Sequence, residues 1–313
     1  MENKRAVVTG GAGFIGSHLV EELVANGYQV AILDDLSTGK KTNIEPLLPG
    51  GRVDFVRGSV VDLPLLQGLF QNTRYVFHLA AISSVPRSLK EPRASHEVNA
   101  TGTLNVLLAS RDNNVSKVIY ASSSAVYGDT PTLPQKEDMV PRPLSPYAAA
   151  KLAGEHYCAV FQEVYGLPTV CLRYFNVYGP RQDPDSQYAA VVPRFIKRCY
   201  EGNPPIVFGD GEQTRDFTFV RDAVMANIRL AESDARGVFN ISRGECVTIN
   251  LLAKLIAGLV GTRIEPIYQE ARVGDIKHSL ADITKARAFG YEPQYNLEQG
   301  LRETIAHRRN LEL

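Results

Sequence analysis

The sequence predicts an α/β fold in which helices cover both faces of a doubly wound, parallel sheet. Two observations carry this prediction. Short apolar runs without polar alternation recur through the first half of the 313-residue chain, and helical patterns separate them. A strand that is buried on both faces has such a continuous run, and strand–helix alternation is typical of crossover connections in a parallel sheet.

The elements of this fold follow from the sequence in order. The predicted strands are Arg5–Thr9, Gln29–Asp34, 53–56, 75–80, 117–122 and 169–173. The helical patterns lie at about 15–26, 62–70, 98–112 and 146–165. A later segment, GVFNIS at 237–242, is a further strand candidate that can return to the first sheet.

The second half of the chain is less regular than the first. Gly and Pro cluster at 200–213, a composition typical of the loops that build pockets. We therefore expect residues 1–172 to form one domain and residues 173–313 to form a smaller C-terminal domain. Because the strand near 237–242 can return to the first domain, the two parts are expected to interleave.

The composition excludes several classes of protein. With 44% hydrophobic residues, 22% charged residues and a net charge of zero, the chain has no basic footprint for nucleic acid or an anionic membrane. No apolar run approaches the roughly 18–20 residues that span a bilayer. A strand begins at once after the first residues, which leaves no room for a signal peptide, so a cytoplasmic protein is expected. Four cysteines without C-x-x-C spacing predict reduced thiols and no metal site.

A glycine-rich segment, VVTGGAGFIGSHLVEEL, follows the first predicted strand and opens the first helix. Gly10, Gly13 and Gly16 permit a tight turn and close approach of the backbone to a pyrophosphate, and the helix N-terminus favours an anion. Asp34 and Asp35 end the second strand, where a carboxylate binds the adenosine ribose hydroxyls and repels a 2′-phosphate. The segment thus predicts a Rossmann-type NAD site; the alternative is an ordinary strand–helix turn.

The stretch SPYAAAK, residues 145–151, predicts a helix with two chemically useful side chains on one face. Ser145 is a good N-cap residue, and Pro146 suits the first helical position. Tyr147 and Lys151 are one turn apart and therefore neighbours. Such a pair alone is common in helices, so its interpretation depends on the residues around it.

Serines follow the fifth predicted strand in VIYASSSAVYG, residues 118–128. The carboxyl edge of a parallel sheet is where ligands bind, so these serines emerge at a suitable place. Alone, they are best explained as a cap or turn. Together with the glycine segment and the tyrosine–lysine pair, they predict an acid–base site. His78, in an apolar strand, is expected to be a core histidine.

With these motifs the sequence resembles the extended short-chain dehydrogenase/reductase family. The resemblance is carried by TGGAGFIG (9–16), HLAA (78–81), the strand-end serines, YAAAK (147–151) and LRYFNVYGPRQ (172–182), and it covers essentially the whole chain. Within the family, four segments are similar to nucleotide-sugar 4-epimerases of the UDP-N-acetylglucosamine 4-epimerase branch. They are SVPRSLKEP (84–92), RYFNVYGPRQDP (173–184), GDGEQTRDF (209–217) and RVGDIKHSLADITKA (272–286).

The resemblance implies a chemistry for the catalytic residues. Tyr147, as phenolate, takes the proton from the sugar 4-hydroxyl, and Lys151 together with the positive nicotinamide lowers the phenol pKa from its usual value near 10. Lys151 also holds the nicotinamide ribose. Ser124 hydrogen-bonds the reacting oxygen, with Ser123 as the alternative if the register is off by one. Hydride passes from C4 to NAD and returns to the other face of a transient 4-keto sugar.

The resemblance also implies binding residues. Those of the cofactor site are Gly10, Gly13, Phe14, Ile15, Gly16, Asp34, Asp35, Ser37, Thr38, Gly39, Ser59, Val60, Leu79, Ala80, Ala81, Asn99, Ser122, Tyr147, Lys151 and Tyr174. Those of the UDP-sugar site are Ser84, Ser124, Asn176, Ala190, Val191, Phe208, Arg215, Arg272, Asp275 and Ser279. Arginine suits diphosphate oxygens because its planar fork is bidentate. Ser59 departs from the aspartate that usually contacts adenine in the family.

Sister activities of the family need other residues. Nucleotide-sugar dehydratases need an acid beside the strand-end hydroxyl and decarboxylases usually carry a glutamate there, whereas Ser124, Ala125 and Val126 offer no carboxylate. The small Ser279 leaves room for an N-acetyl group at the sugar 2-position. The sequence therefore predicts UDP-GlcNAc/UDP-GalNAc as substrates, with UDP-Glc/UDP-Gal also turned over. The alternatives are a UDP-glucuronate 4-epimerase or decarboxylase and, from a different class, a redox-inactive NAD-binding or sensor protein.

Family members pack the helices that correspond to 98–112 and 146–165 into a dimeric four-helix bundle, so a homodimer is expected. Tyr157, Val160, Phe161 and Val164 offer an apolar stripe for this contact. The same stripe can instead serve the core of the protomer.

Overall fold

A computed structural model describes residues 4–185, 190–271 and 276–311 of the chain. The strands are β1 (Arg5–Thr9), β2 (Gln29–Asp34), β3 (Val53–Arg57), β4 (Tyr75–His78), β5 (Lys117–Ser123), β6 (Thr169–Tyr174), β7 (Val177–Tyr178), β8 (Ile206–Phe208), β9 (Thr214–Asp216), β10 (Thr218–Phe219), β11 (Gly237–Ile241), β12 (Cys246–Thr248) and β13 (Ile267–Gln269).

The helices alternate with these strands. They are α1 (Phe14–Ala25), α2 (Leu63–Leu69), α3 (Val85–Lys90), α4 (Pro92–His96), α5 (Gly102–Asp112), α6 (Pro146–Tyr165), α7 (Val191–Tyr200), α8 (Val220–Glu232), α9 (Ile249–Val260), α10 (Thr284–Arg287) and α11 (Leu297–Leu311). Short 3₁₀ segments cover Lys41–Asn43, Glu45–Gly50 and Ser124–Tyr127, and a π-helical turn, Glu97–Thr101, leads into α5. None of the helices described is both long and apolar enough to cross a membrane.

The central sheet has seven strands in the order β11-β6-β5-β4-β1-β2-β3, and every neighbouring pair is parallel. The chain runs outward from β1 in one direction to β3 and then in the other direction from β4. This reversal makes the carboxyl ends of β1 and β4 the expected ligand position in a doubly wound sheet. The predicted α/β fold is confirmed, and the strand at Gly237–Ile241 does return to the sheet.

Helices cover the sheet on both sides, which explains the continuous apolar strands. Val7 and Val8 are neighbours on β1, yet each is fully buried in a different hydrophobic cluster. The cluster around Val8 includes side chains of α1 and α8, and the cluster around Val7 includes side chains of α2, α5 and α6. Burying a valine contributes about 1.5–3 kcal/mol, so each strand position stabilises the sheet, whichever face it occupies.

A third hydrophobic cluster lies in the C-terminal part of the chain. Phe195 of α7, Leu252 and Ile256 of α9, and Leu301 of α11 are buried together there. Short strand pairs accompany this cluster: β7 with β10, β8 with β13, and β9 with β12. The C-terminal part of the chain therefore has a hydrophobic core of its own.

His78 on β4 is a core histidine, as the sequence predicts. Its Nδ1 lies 2.7 Å from Thr9 Oγ1, and its Nε2 lies 3.0 Å from Thr103 Oγ1. Because Thr103 donates its own proton to Asn99 O, its oxygen accepts from His78 Nε2–H. The ring is thus held in one neutral tautomer with both nitrogens hydrogen-bonded.

The neutral state of His78 makes folding sensitive to acid. Burial lowers its pKa to about 3, and the charge of Lys151 acts in the same direction. Between about pH 3 and pH 6.5 the unfolded chain binds a proton here that the folded chain does not, so stability falls as pH falls. We expect His78 to remove about 2 kcal/mol of unfolding free energy between pH 7 and pH 5. Urea titrations at both pH values test this, since His78→Asn must reduce the loss; an equal loss in both proteins would contradict it.

Candidate active site

The turn between β1 and α1 has glycine where no other residue fits. Gly10 has φ +71°, and a Cβ there would lie 2.7 Å from Ala80 N. A Cβ on Gly16 would lie 2.1 Å from Gly10 O. No side chain caps the N-terminus of α1, whose N-cap residue is Gly13, so its first amides remain open to an anion. The backbone here matches the geometry that a bound pyrophosphate requires.

Asp34 lies at the end of β2 beside this turn and is largely buried. Its Oδ2 accepts a hydrogen bond from Ala12 N at 3.0 Å, and its Oδ1 accepts one from Leu36 N at 2.9 Å. Burial raises the pKa of Asp34, and these two hydrogen bonds oppose the shift. Since each carboxylate oxygen has a further lone pair, the group can still accept hydrogen bonds from ribose hydroxyls.

A cleft of about 360 Å³ runs along the carboxyl edge of the sheet from this turn to α6. It is lined by the following residues of the predicted cofactor site: Gly10, Gly13, Phe14, Ile15, Gly16, Asp34, Asp35, Ser37, Thr38, Ser59, Val60, Leu79, Ala80, Ala81, Ser122, Tyr147, Lys151 and Tyr174. The structure therefore brings most of the predicted set together in one cavity.

The residues that line this cleft do not include Gly39 and Asn99 of the predicted cofactor set. Both instead contact residues that do line it. A Cβ on Gly39 would lie 2.7 Å from Asp34 Oδ1, so the glycine gives the carboxylate its space. Asn99 is buried, accepts a hydrogen bond from Ile82 N at 2.8 Å and donates one to Ile82 O at 3.0 Å. It thus fixes the backbone of a lining residue.

Seven further residues line the cleft without having been predicted: Leu33, Gly58, Ile82, Ser83, Arg87, Val98 and Ala121. Leu33 and Ala121 lie near the carboxyl ends of predicted strands, and Gly58 directly follows β3. Their position at the strand ends is a signal that the sequence already contained. Arg87 on α3 carried no such signal, because its place depends on the loop after β4.

The helix that carries Tyr147 and Lys151 forms as the sequence predicts. Ser145 Oγ caps α6 by accepting from Ala148 N at 3.1 Å, and Gly166, with φ +68°, ends it. Tyr147 and Lys151 are both buried, and Lys151 Nζ lies 6.0 Å from the centre of the Tyr147 ring. Lys151 Nζ also donates to Ala121 O at 2.7 Å, which joins α6 to the end of β5.

Burial dominates the protonation of this pair. It lowers the pKa of Lys151 to about 7. It raises the pKa of Tyr147, and a hydrogen bond with Ser123 opposes that rise. The direction for Tyr147 is opposite to the lowering that the resemblance implies, because excluding water from a phenolate outweighs one hydrogen bond.

The side chain of Ser123 lies near Tyr147, where it opposes the rise in the phenol pKa. Ser123 is the last residue of β5, and its Oγ also accepts from Ala125 N at 3.2 Å. Ser124 begins the 3₁₀ segment that follows. Of the two registers that the sequence left open, this position near Tyr147 favours Ser123, and a substrate contact of Ser124 stays a prediction.

Three of the predicted substrate residues, Asn176, Arg215 and Ser279, belong to β9 or are hydrogen-bonded to it. Asn176, two positions after the cleft residue Tyr174, donates from Nδ2 to Asp216 O at 2.9 Å. Its neighbour Arg215 donates to Thr214 O at 2.9 Å. Thr214 O also accepts from the backbone N of the largely buried Ser279 at 3.2 Å.

The other predicted substrate residues are placed separately. Phe208 ends β8, and its carbonyl accepts from Gln213 Nε2 at 2.7 Å. Ala190 is the N-cap residue of α7, and Val191 begins that helix. Ser84 Oγ caps α3 by accepting from Arg87 N at 3.1 Å. Arg272 and Asp275 lie outside the described residues.

Comparisons with known proteins agree with this fold. The profile of the NAD dependent epimerase/dehydratase family matches residues 6–242. The UDP-glucose 4-epimerase of Mycolicibacterium smegmatis is 41% identical over 310 residues, which are 98% of this chain and 99% of that protein.

Two solved structures have the same fold over almost their full length. One is a UDP-N-acetylglucosamine 4-epimerase from Methanobrevibacter ruminantium in complex with UDP-N-acetylmuramic acid, with TM-score 0.95, 44% identity and coverage of 99% of this chain and 100% of that chain. The other is a UDP-glucose 4-epimerase from Thermus thermophilus in complex with NAD, with TM-score 0.90, 39% identity and coverage of 97% and 99%. The glycine turn, the acid after β2, the buried tyrosine–lysine pair and these matches lead to one conclusion: the chain belongs to the NAD dependent epimerase/dehydratase family.

Proposed function

We propose that the protein is an NAD-dependent UDP-sugar 4-epimerase that acts on UDP-GlcNAc/UDP-GalNAc and also on UDP-Glc/UDP-Gal. The observation that carries this proposal is that Tyr147 and Lys151, both buried and one helical turn apart, line the cleft that starts at the glycine turn. An acid–base hydroxyl beside a dinucleotide site is the arrangement that reversible oxidation of an alcohol needs.

The cleft residues fit NAD. The turn at Gly10 and Gly16 and the open N-terminus of α1 would hold the pyrophosphate, and Asp34 would bind the adenosine ribose. Lys151 and Tyr174 would bind the nicotinamide half. Ser59 lines the same cleft and would contact the adenine in place of the family's usual aspartate. NAD, when bound, accepts a hydride from C4 of the sugar and returns it to the opposite face.

The protein's own residues move the proton of the sugar 4-hydroxyl. Tyr147 would take this proton and later return it, while Ser123 hydrogen-bonds the reacting oxygen. The neutral phenol is favoured by burial, so the base forms only with help from nearby positive charge. Lys151, whose pKa of about 7 leaves it partly protonated at neutral pH, supplies part of that charge, and the oxidised nicotinamide would supply the rest.

The residues after β5 favour epimerisation over the sister reactions. Ser124, Ala125 and Val126 form the 3₁₀ segment beside the pair and carry no carboxylate. A dehydratase needs an acid there to protonate the departing hydroxyl. A UDP-glucuronate 4-epimerase or decarboxylase and a redox-inactive NAD-binding protein remain the alternative proposals.

The preference for N-acetylated sugars rests on the size of Ser279. Its backbone is fixed to Thr214 O, in the segment that also carries Arg215 and Asp216, so its side chain belongs to the proposed sugar-binding region. A serine leaves space that a bulky side chain would fill. We expect the purified protein to interconvert UDP-GlcNAc and UDP-GalNAc, and UDP-Glc and UDP-Gal, without net formation of NADH. Incubation with UDP-GlcNAc, UDP-Glc and UDP-GlcA separately, followed by sugar analysis, measures this.

The variant Ser279→Tyr is the matched test of the size argument. It is expected to lose turnover of UDP-GlcNAc by roughly tenfold or more, equal to about 1.4 kcal/mol, while UDP-Glc turnover is retained. If the wild-type protein converts UDP-Glc but leaves UDP-GlcNAc unchanged, the size argument is wrong. Conversion of UDP-GlcA alone would support the uronate alternative.

A homodimer through α5 and α6 is also proposed. On α6, Tyr157, Val160 and Val164 are 37%, 48% and 66% exposed, which is unusual for a row of apolar side chains on one helix. Phe161 takes the alternative role that the sequence left open, since it is 4% exposed and packs in the protomer core. A monomer in light scattering would rule the dimer out.

A further inference from the structure

A buried ion pair lies one helical turn beyond Lys151. Glu155 on α6 and Arg173 on β6 are 4% and 3% exposed. Arg173 Nε donates to Glu155 Oε1 at 2.9 Å, and Arg173 Nη2 donates to Glu155 Oε2 at 2.7 Å. This bidentate geometry fixes the carboxylate in one orientation. No motif or spacing in the sequence predicts this pair.

The same carboxylate accepts a third hydrogen bond, from a residue of β5. Ser122 Oγ donates to Glu155 Oε1 at 2.5 Å. Although Ser122 lines the cleft, its hydroxyl is therefore committed to α6, and this differs from the cofactor contact that the resemblance implies. Ser123, the next residue and the last of β5, is the one whose side chain opposes the rise in the Tyr147 pKa.

Two successive residues of β5 are thus hydrogen-bonded to side chains of α6. Lys151 Nζ donates to Ala121 O, and Glu155 accepts from Ser122 Oγ. Both bonds come from the helix that carries Tyr147, and both end on the strand that carries Ser123. The main chain of β5 is paired with β6 as far as Ser123, so the two side-chain bonds fix the position of α6 relative to this strand end.

Further hydrogen bonds hold the arginine side of the pair. The Arg173 guanidinium stacks 4.6 Å from the centre of the Tyr127 ring, and Tyr127 OH donates to Asn240 Oδ1 at 2.7 Å. The backbone N of Asn240 on β11 donates to Glu137 Oε1 at 2.8 Å. Arg173 Nη1 also donates to Glu137 O at 3.4 Å, so the ion pair is connected to β11 as well as to β6.

We infer that Glu155 is a positioning residue for the reaction: held by Arg173, it fixes Ser122 and thereby sets Ser123 against the Tyr147 hydroxyl. The opposite charges of Glu155 and Arg173 compensate each other, so the effect on the site is one of placement. The titratable and charged groups around the tyrosine are Lys151 and Glu155 on α6, Tyr120 on β5, His78 on β4 and Arg173 on β6.

Ser122→Ala tests this placement because it removes one hydrogen bond and leaves the ion pair intact. With Ser123 less constrained, Tyr147 loses the hydrogen bond that favours its anion. In NAD-loaded protein we expect the apparent pKa of Tyr147 to rise by roughly one unit, with kcat on the acid side falling about tenfold. KM for the UDP-sugar and the Kd for NAD are expected to stay within about twofold. Tyrosinate absorbance, taken as a difference against Tyr147→Phe, measures the pKa.

Glu155→Gln and the double variant Ser122→Ala/Glu155→Gln complete a cycle. If Ser122 acts through Glu155, the double variant shifts the Tyr147 pKa no more than the larger single change. If Glu155→Gln fails to fold because Arg173 is left without its counter-charge, Glu155→Gln/Arg173→Gln replaces it, with and without Ser122→Ala. Glu163→Gln, at an exposed position of the same helix, is the control and should change none of these quantities.

The inference is overturned if Ser122→Ala lowers thermal stability but leaves the Tyr147 pKa and the pH profile of kcat unchanged, or if the two shifts are additive. If the main effect of Ser122→Ala is a weaker affinity for NAD, Ser122 is a cofactor-binding residue, and the inference is equally overturned. The kinetic part rests on the proposed function, whereas the tyrosinate titration needs no sugar. A failure of UDP-sugar turnover is thus distinguishable from a failure of the inference.

Discussion

Tyr147→Phe is expected to lower kcat for epimerisation by about 10²–10⁴-fold, the usual loss when a general acid–base group is removed. Phenylalanine keeps the ring, which lies buried beside Lys151, and removes only the hydroxyl, which lies near Ser123. The fold and the NAD site are therefore expected to survive. Coupled assays of product sugar at saturating substrate, together with NAD content per chain, measure both expectations.

The Tyr157→Phe variant is the matched control for Tyr147→Phe. Tyr157 lies on the same helix but is 37% exposed, so loss of its hydroxyl should leave kcat within about twofold of the wild-type value. Retained turnover in Tyr147→Phe would contradict the assignment of the base. Absence of any turnover in the wild-type protein, with NAD bound, would instead support the redox-inactive alternative.

Gly16→Ala is expected to be the most damaging single-methyl change in the cofactor site. The new Cβ would lie 2.1 Å from Gly10 O, and backbone must shift to make room. Overpacking of this kind costs about 1–3 kcal/mol. Because the displaced residue forms the turn at which the pyrophosphate is proposed to bind, NAD affinity should fall roughly tenfold or more. Calorimetric titration of NAD into stripped protein measures the loss.

Gly68→Ala is the matched control for this change. Gly68 lies exposed in α2, and a Cβ there would have nothing within 4 Å. Alanine is expected to be neutral or to stabilise the protein by about 0.5–1 kcal/mol, because glycine weakens a helix. An equal loss of NAD affinity in both variants would show that the effect of Gly16→Ala does not come from the turn.

Much of the sheet could be predicted because its signal is local. Arg5–Thr9 and Gln29–Asp34 have the predicted bounds, since a run of apolar residues between polar ones marks both ends of a buried strand. The strand predicted at 75–80 ends at His78 instead. Leu79 and Ala80 are apolar for a different reason: they form the wall of the cleft beside Gly10.

The choice between Ser123 and Ser124 as the proposed catalytic serine could not be made from the sequence. Three consecutive serines carry no periodicity, and the face on which each lies depends on where β5 ends. The strand continues to Ser123 before the 3₁₀ segment begins, one residue beyond the predicted end. Ser123 thus belongs to the strand and Ser124 does not, so the position of the strand end bears on which of the two lies near Tyr147.

The buried ion pair could not be predicted from the sequence, for a different reason. The chain has 34 acidic and 34 basic residues, and nothing local marks Glu155 and Arg173 as partners. They meet only because α6 crosses back over β5 and β6. Likewise, the bonds among Asn176, Asp216 and Thr214 depend on how separate loops fold together. Contacts of this kind follow from topology and not from pattern.

The return of β11 to the sheet has a consequence for how the molecule can be divided. β11 pairs with β6 along its whole length, although α7, α8 and four short strands lie between the two in the chain. A fragment that stopped at residue 172 would cut β6 short and leave the rest of it as an exposed edge strand, with free main-chain groups along one side. Neither half of the chain is thus expected to fold alone. A fusion or split site should be placed in a surface loop, where it interrupts no hydrogen bonds between strands.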